Sequence, residues 1–186
     1  MKYIKQYKDF SPVFEKLVYE GGAKKPYKKK QTKDDLKRVG YLEMVSVPGI
    51  GDFVAKFDTG NGSISSISCD DWKEFDGWID WTLNGVKTHS RKTGVSTVFN
   101  KNNEKRVCVA LTVEFDGKTY KDVPFALIDR SKNYAKMLVN RTFINTCHAM
   151  VDTSAPFIVT KRPKDFSVNK KSKYSGIYFY ENDEEE

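Results

Sequence analysis

The chain has 186 residues, 39% of them hydrophobic and 13% aromatic, enough for the core of one ordinary domain with extensions. No run of about 18 apolar residues occurs, so no membrane-spanning helix is expected, and the opening MKYIKQYKDFSPVFEKL lacks the apolar stretch of a secretory leader. The net charge of +7 is unevenly placed: residues 1–38 balance to +7, 39–162 to +2 and 163–186 to −2.

In residues 3–19, Tyr3, Ile4, Tyr7, Phe10, Phe14, Leu17 and Val18 fall at roughly helical spacing. Ser11-Pro12 interrupts it, where Ser can cap and Pro can open a new turn. GGAKKP then reads as a linker, and the domain boundary is set near Arg38. The run KKPYKKKQTKDDLKR, residues 24–38, reads as a solvated arm or as a tether to nucleic acid or a negative protein surface. It carries no signature of a dedicated nucleic-acid-binding domain.

From Val39 the texture changes. VGYLEMVSVPGIG and DFVAKFD alternate apolar and polar residues. DGWIDWTLNGVKTHS is a strand, an Asn-Gly turn and a second strand. In RVCVALTVEFDGKTYKDVPFALID, Val107, Val109, Leu111, Val113 and Phe115 share a face. Asp116-Gly117 turns the chain, and Tyr120, Val123, Phe125 and Leu127 return. KMLVNRTFINTC and AMVDTSAPFIVTKR add short strands, with a helical turn expected near Thr142–Asn145. The pattern predicts an all-β sandwich or small barrel. The acidic end, after a strand candidate at YFY, reads as a tail.

KFDTGNGSIS, residues 56–65, carries the chemistry. A strand delivers Asp58 to the lip of a turn. Gly60 is expected to supply a positive φ and to keep the space above the carboxylate clear. Thr59 offers a hydroxyl to lock the loop. One carboxylate held in such a nest is half of an aspartic-protease site. Two close carboxylates share a proton: the ionised one activates water and the protonated one polarises the scissile carbonyl.

The chain resembles the retropepsin-like aspartic proteases. More narrowly, it resembles the bacterial and phage proteins labelled ATP-dependent zinc proteases, which are associated with glutamate-ligase genes. The likeness covers about residues 39–162 and rests on six segments in order: VGYLEMVSVPGIGDFVAKFDTG, SSISC, SRKTGVST, KRVCVALTVEFDGKTYKDVPFALIDRS, KMLVNRTFI and MVDTSAPFIVTKR. The basic N-terminal extension is expected from its own residues to be partly helical or disordered, and the likeness implies a small closed retropepsin-like barrel after it. It makes Asp58 the catalytic carboxylate, with Thr59 bracing the loop against a twin copy and Gly60 donating a backbone N–H. Asp129, Arg130 and Arg141 match family motifs and are expected to clamp the loop from beneath or to grip an acidic peptide.

Three departures stand out. The family's Leu-Leu-Gly-Arg reads Leu138-Val139-Asn140-Arg141, placing Asn140, which can reach left-handed geometry but adds bulk, where a glycine lets segments cross. Asn61-Gly62 replace a basic residue, and the family's histidine after the loop is missing. A second carboxylate within the chain is not expected. VDTSA at 151–155 repeats Asp-Thr, but only 32 residues follow Ser154, while a second lobe would need roughly a hundred. Asp152 is therefore read as a turn cap, and a dyad requires a second copy of the chain.

The remaining residues suggest little further chemistry. Cys69, Cys108 and Cys147 form an odd set without CxxC spacing, which suggests free thiols in a reducing, cytoplasmic setting, host cytoplasm or virion if phage-encoded. His89 and His148 lie far apart, so neither metal nor cofactor is expected. Trp72, Trp78 and Trp81 read as core, with an exposed partner surface as the alternative. Two functions compete: a homodimeric aspartyl endopeptidase, and a catalytically silent structural or assembly protein of a phage particle. Asp-Thr-Gly favours the first. Asn140, the lost basic residue and the oppositely charged ends favour the second.

Overall fold

A computed structural model of the chain describes residues 36–98, 104–169 and 172–181. The helical spacing over 3–19, the linker and all but the last three residues of the basic run lie outside the described residues. The chain divides after Asp34, and all the described residues belong to the unit Asp35–Glu186.

Strands take up 57% of the described residues and helix 4%, as the alternating patterns predict. The strands are β1 (Lys37–Gly40), β2 (Leu42–Val47), β3 (Gly51–Asp58), β4 (Ser65–Ser68), β5 (Asp71–Phe75) and β6 (Trp78–Leu83), then β7 (Val86–Val98), β8 (Glu104–Phe115), β9 (Lys118–Ile128) and β10 (Met137–Asn140). Among the described residues one helix, α1 (Arg141–Thr146), precedes β11 (Ala149–Asp152) and β12 (Ile177–Phe179).

The order β3-β10-β4-β9-β8-β2 returns to β3 and closes a six-stranded barrel. Closure removes the free edges that an open sheet would present. Beyond β8 the sheet runs outward through β7 and β6 to β5. The turns Asp76-Gly77, Asn84-Gly85 and Asp116-Gly117 all take positive φ at both positions, the twist that a two-residue hairpin needs.

Val107, Val109, Leu111, Val113 and Phe115 of β8 are all buried, on the single face that their spacing predicts. They meet Val45, Phe53, Ile67, Phe125, Met137 and Val139 in one core, which Ile79, Trp81 and Leu83 extend under the β6–β7 hairpin. Each such side chain contributes about 1.5–3 kcal/mol on burial.

Two later segments tie the start of the barrel. β12 lies antiparallel to the first residues of β3, with Ile177 opposite Phe53. Residues 155–160 strap across the β1–β2 corner: Tyr41 N–H donates to Ala155 O at 3.1 Å and Phe157 N–H to Leu42 O at 2.7 Å. Gly40 is required at that crossing, since a Cβ there would meet Phe157 N at 2.7 Å and Ala155 O at 2.8 Å.

Candidate functional site

The parallel pair β3–β10 ends with Asp58 opposite Asn140. Beyond Asp58 the chain turns sharply, and Asn61 N–H closes the turn on Asp58 O at 3.2 Å. Gly60 N–H donates to Asp58 Oδ1 at 3.0 Å. Gly60 is not among the residues with positive φ, which corrects the expectation drawn from its sequence. Space favours glycine there instead: a Cβ would sit 3.3 Å from Asp58 Oδ1, a tight contact that the carboxylate would have to yield to. Thr59 is exposed at the tip.

Asn140 binds this loop to the barrel. Its backbone is extended, at φ −84° and ψ 170°, so the left-handed geometry open to asparagine is not used. It caps α1 instead, its side-chain oxygen accepting the Phe143 N–H at 2.9 Å. The same oxygen accepts from Ser65 Oγ at 3.2 Å, and Ser65 Oγ in turn accepts the Asn140 N–H at 3.1 Å. The Asn140 amide donates to Ser63 O at 2.9 Å. Arg141 follows with its N–H on Asn61 O at 2.9 Å and its side chain exposed. Both sides of the Asp-Thr-Gly turn are thereby fastened to the start of α1.

Charge around Asp58 is positive. Its carboxylate side chain is 28% exposed, and Lys56 Nζ lies 3.5 Å from Oδ2. Arg130 is buried, donating from Nε to Ala135 O at 3.0 Å and from its terminal nitrogen to Ser66 Oγ at 3.1 Å. Burial pulls its guanidinium down to about 10, Arg106 pushes the same way, and Tyr134 and Asp58 oppose them. Lys136, wholly buried, donates to the carbonyls of Arg130, Ser131 and Asn133. Burial, then Arg130, holds its ammonium below the usual lysine value.

Asp129 stands apart from this cluster. β4 runs parallel to β9, with Ser65 opposite Phe125 and Ser68 opposite Ile128. Asp129 therefore leaves the sheet at the end of β4 away from Ser65, Asn140 and Asp58. It is exposed and binds Ser131 N–H at 2.7 Å; the N–H and hydroxyl of Ser131 hold its carboxyl below the usual range. It lines a cavity of about 410 Å³ with Cys69, Asp70, Ser131, Lys132 and Lys173. Thus Asp58, Thr59, Gly60, Asn140 and Arg141 share a corner, Arg130 reaches toward it from beneath, and Asp129 does not.

The expectations for Asp152 and the tryptophans resolve similarly. Asp152 caps a turn, accepting from Ser154 N–H at 2.8 Å and Ser154 Oγ at 2.6 Å, and it pairs with Arg38. Trp81 is core, at 1% exposure, but Trp72 and Trp78 are 44% and 42% exposed. Among the described residues no group of three or more His, Cys, Asp or Glu side chains is placed to hold a metal, and no helix is long and apolar enough to cross a membrane. Sequence reasoning missed Lys56, Ser63 and Ser65 as partners of the loop. The signal for Lys56 was its spacing: two residues before Asp58 on one strand, it shares that residue's face.

No family model and no curated protein matches the chain. Two chains among solved structures do. One is a Legionella pneumophila protein of unknown function, Lpg0085 (DUF785), at 20% identity and a TM-score of 0.58, covering 67% of this chain and 98% of that one. At that identity the likeness shows a shared fold.

Proposed function

We propose that the protein is a retropepsin-like aspartyl endopeptidase whose site is completed when a second copy brings its own Asp58 opposite the first. The observation that carries this reading is the half-buried Asp58 carboxylate on a turn held by Gly60 N–H, Asn61, Arg141 and the Asn140 cap. A carboxylate so fixed needs no reorganisation to act. Two of them within hydrogen-bonding reach cannot both ionise and share one proton. The ionised Asp58 takes a proton from water as that water attacks the scissile carbonyl. Its protonated twin hydrogen-bonds the carbonyl oxygen, and the proton then passes to the leaving amine. The cations Lys56 and Arg130 near the site suit a substrate with acidic side chains.

One feature favours the competing reading, a silent structural protein of a phage particle: the Lys56 ammonium already faces Asp58 within the chain. The test compares wild type with Asp58→Asn for peptide turnover and self-cleavage at mildly acidic pH. The enzyme reading expects kcat/KM to fall by about 10³-fold in the variant. Equal, null turnover in both proteins, with stable incorporation into a particle, supports the structural reading instead.

A further inference from the structure

β5 ends the sheet, and among the described residues it pairs only with β6. All five of its residues are exposed. A strand edge is a template for another strand; at this one Trp72 N–H is held by Asp71 Oδ1 at 2.8 Å, a bond that pairing would exchange for one across the edge. Register with β6 sets its two faces. Trp72 lies opposite Trp81 and Glu74 opposite Ile79, the face whose β6 residues enter the core. Asp71, Lys73 and Phe75 lie opposite Thr82, Asp80 and Trp78 on the other face.

We propose that β5 is a self-association edge, on which two copies pair antiparallel about a two-fold axis at Trp72. The tripeptide Asp71-Trp72-Lys73 is complementary to itself in that one register. Trp72 meets the partner's Trp72, extending the row that begins at buried Trp81 into four indoles across the joined sheet. On the opposite face each Asp71 meets the partner's Lys73, giving two ion pairs. The other two-fold registers centred on β5 set Asp71, Lys73 or Glu74 against its own copy or, about Phe75, Glu74 against the partner's Asp76, and like charges directly opposed are destabilising. In the chosen register Asp70 comes opposite the partner's Glu74, but each already has a cation: Lys173 lies 3.1 Å from Asp70 and Lys92 2.6 Å from Glu74. A single exposed lysine such as Lys73 ordinarily blocks edge pairing. Here Asp71 two positions earlier supplies its counter-charge. The edge is short, so association is weak and depends on concentration. It is also distinct from the Asp58 contact, since β5 is the outermost strand and Asp58 ends a barrel strand.

Sedimentation of the full chain over a micromolar concentration series tests the proposal together with charge reversal. Wild type is expected to dimerise reversibly. Asp71→Lys or Lys73→Asp alone should weaken dimerisation about tenfold, from two like-charge pairs per dimer. The double reversal should restore it. Site-specific cross-linking reads the register independently of any other contact between copies. Residues paired across antiparallel strands have Cα atoms about 4.5–5.5 Å apart, within disulfide reach. Mild oxidation should therefore cross-link Trp72→Cys chains and leave Lys73→Cys and Glu74→Cys chains without a covalent link. A wild type that stays monomeric throughout overturns the proposal. So does a double reversal as weak as the single ones, or a cross-link at 73 or 74 in place of 72.

Discussion

Asn140 carries more of the loop than its neighbours do. One side chain caps α1, receives Ser65 Oγ and holds Ser63 O. It is 4% exposed, so water cannot replace those bonds when the amide is removed. The family glycine that the sequence suggested for this position would let segments cross, and by that argument Asn140→Gly should tighten the loop. The geometry predicts the reverse. Glycine serves almost as well as asparagine at an N-cap, within a few tenths of a kcal/mol. The two ties to residues 63 and 65 have no substitute and contribute about 1 kcal/mol each. Asn140→Gly is thus expected to destabilise the chain by about 2 kcal/mol, read as a lower urea midpoint with an unchanged slope. Unchanged or greater stability would show that these ties contribute nothing net. The helical turn after Asn140 was legible in the sequence, and so was Asn140 as a special position. Its partners were not, because Ser65 lies 75 residues away and only the β10–β4 pairing brings it near.

Among the elements, the strap 155–160 depends on one buried carboxylate. Glu43 is wholly buried on β2. Its Oε1 accepts from the backbone N–H groups of Gly40, Ile158 and Val159 at 2.7, 2.9 and 3.0 Å. Its Oε2 accepts from Thr160 N–H at 2.9 Å and Thr160 Oγ1 at 2.5 Å, and that hydroxyl oxygen accepts Met44 N–H at 2.8 Å. Only donors surround this carboxylate. Glutamine in its place must turn an NH₂ group toward at least two of them, whichever way its amide lies. Glu43→Gln is expected to cost about 2–3 kcal/mol and to expose the strap to proteases, which limited proteolysis mapped to 155–160 would detect. Full retention of stability would mean that the strap is held by its backbone bonds alone. The sequence did hold a signal for this residue. Glu43 shares the inward face of an alternating strand with Val45 and Val47, where a charge requires partners. Strand existence and order were legible because period-two alternation is local. Strand partners across the barrel were not legible, since no local pattern specifies which edges meet.

At the scale of the molecule, tertiary packing decided what pattern could not. Trp81 and Trp72 oppose each other on adjacent strands, yet one is core and the other exposed, because the sheet ends at β5. The same packing buries three thiols in separate places: Cys69 after β4, Cys108 in β8 and Cys147 at the end of α1. Burial pushes each up to about 11, from an ordinary value of 9.0. The fold therefore favours the neutral thiol. Below pH 9 both folded and unfolded chains hold the proton, and the stabilisation relative to thiolate is fully present. As pH rises from there towards 11, the unfolded chain ionises first and stability falls. Arg130 and Lys136 act in the opposite sense, since burial lowers both, so deprotonation at high pH relieves the fold. A wild-type profile alone would mix the two effects. Comparison with Cys108→Ala separates them, because both cations remain and one thiol is gone. The variant is expected to start less stable near neutral pH, by about 1 kcal/mol for the lost sulfur, but to lose less between pH 8 and 10.5. Urea midpoints at the two pH values measure that difference. Parallel losses in both proteins would mean that Cys108 ionises as readily folded as unfolded, and that its place in β8 does not shield it from solvent.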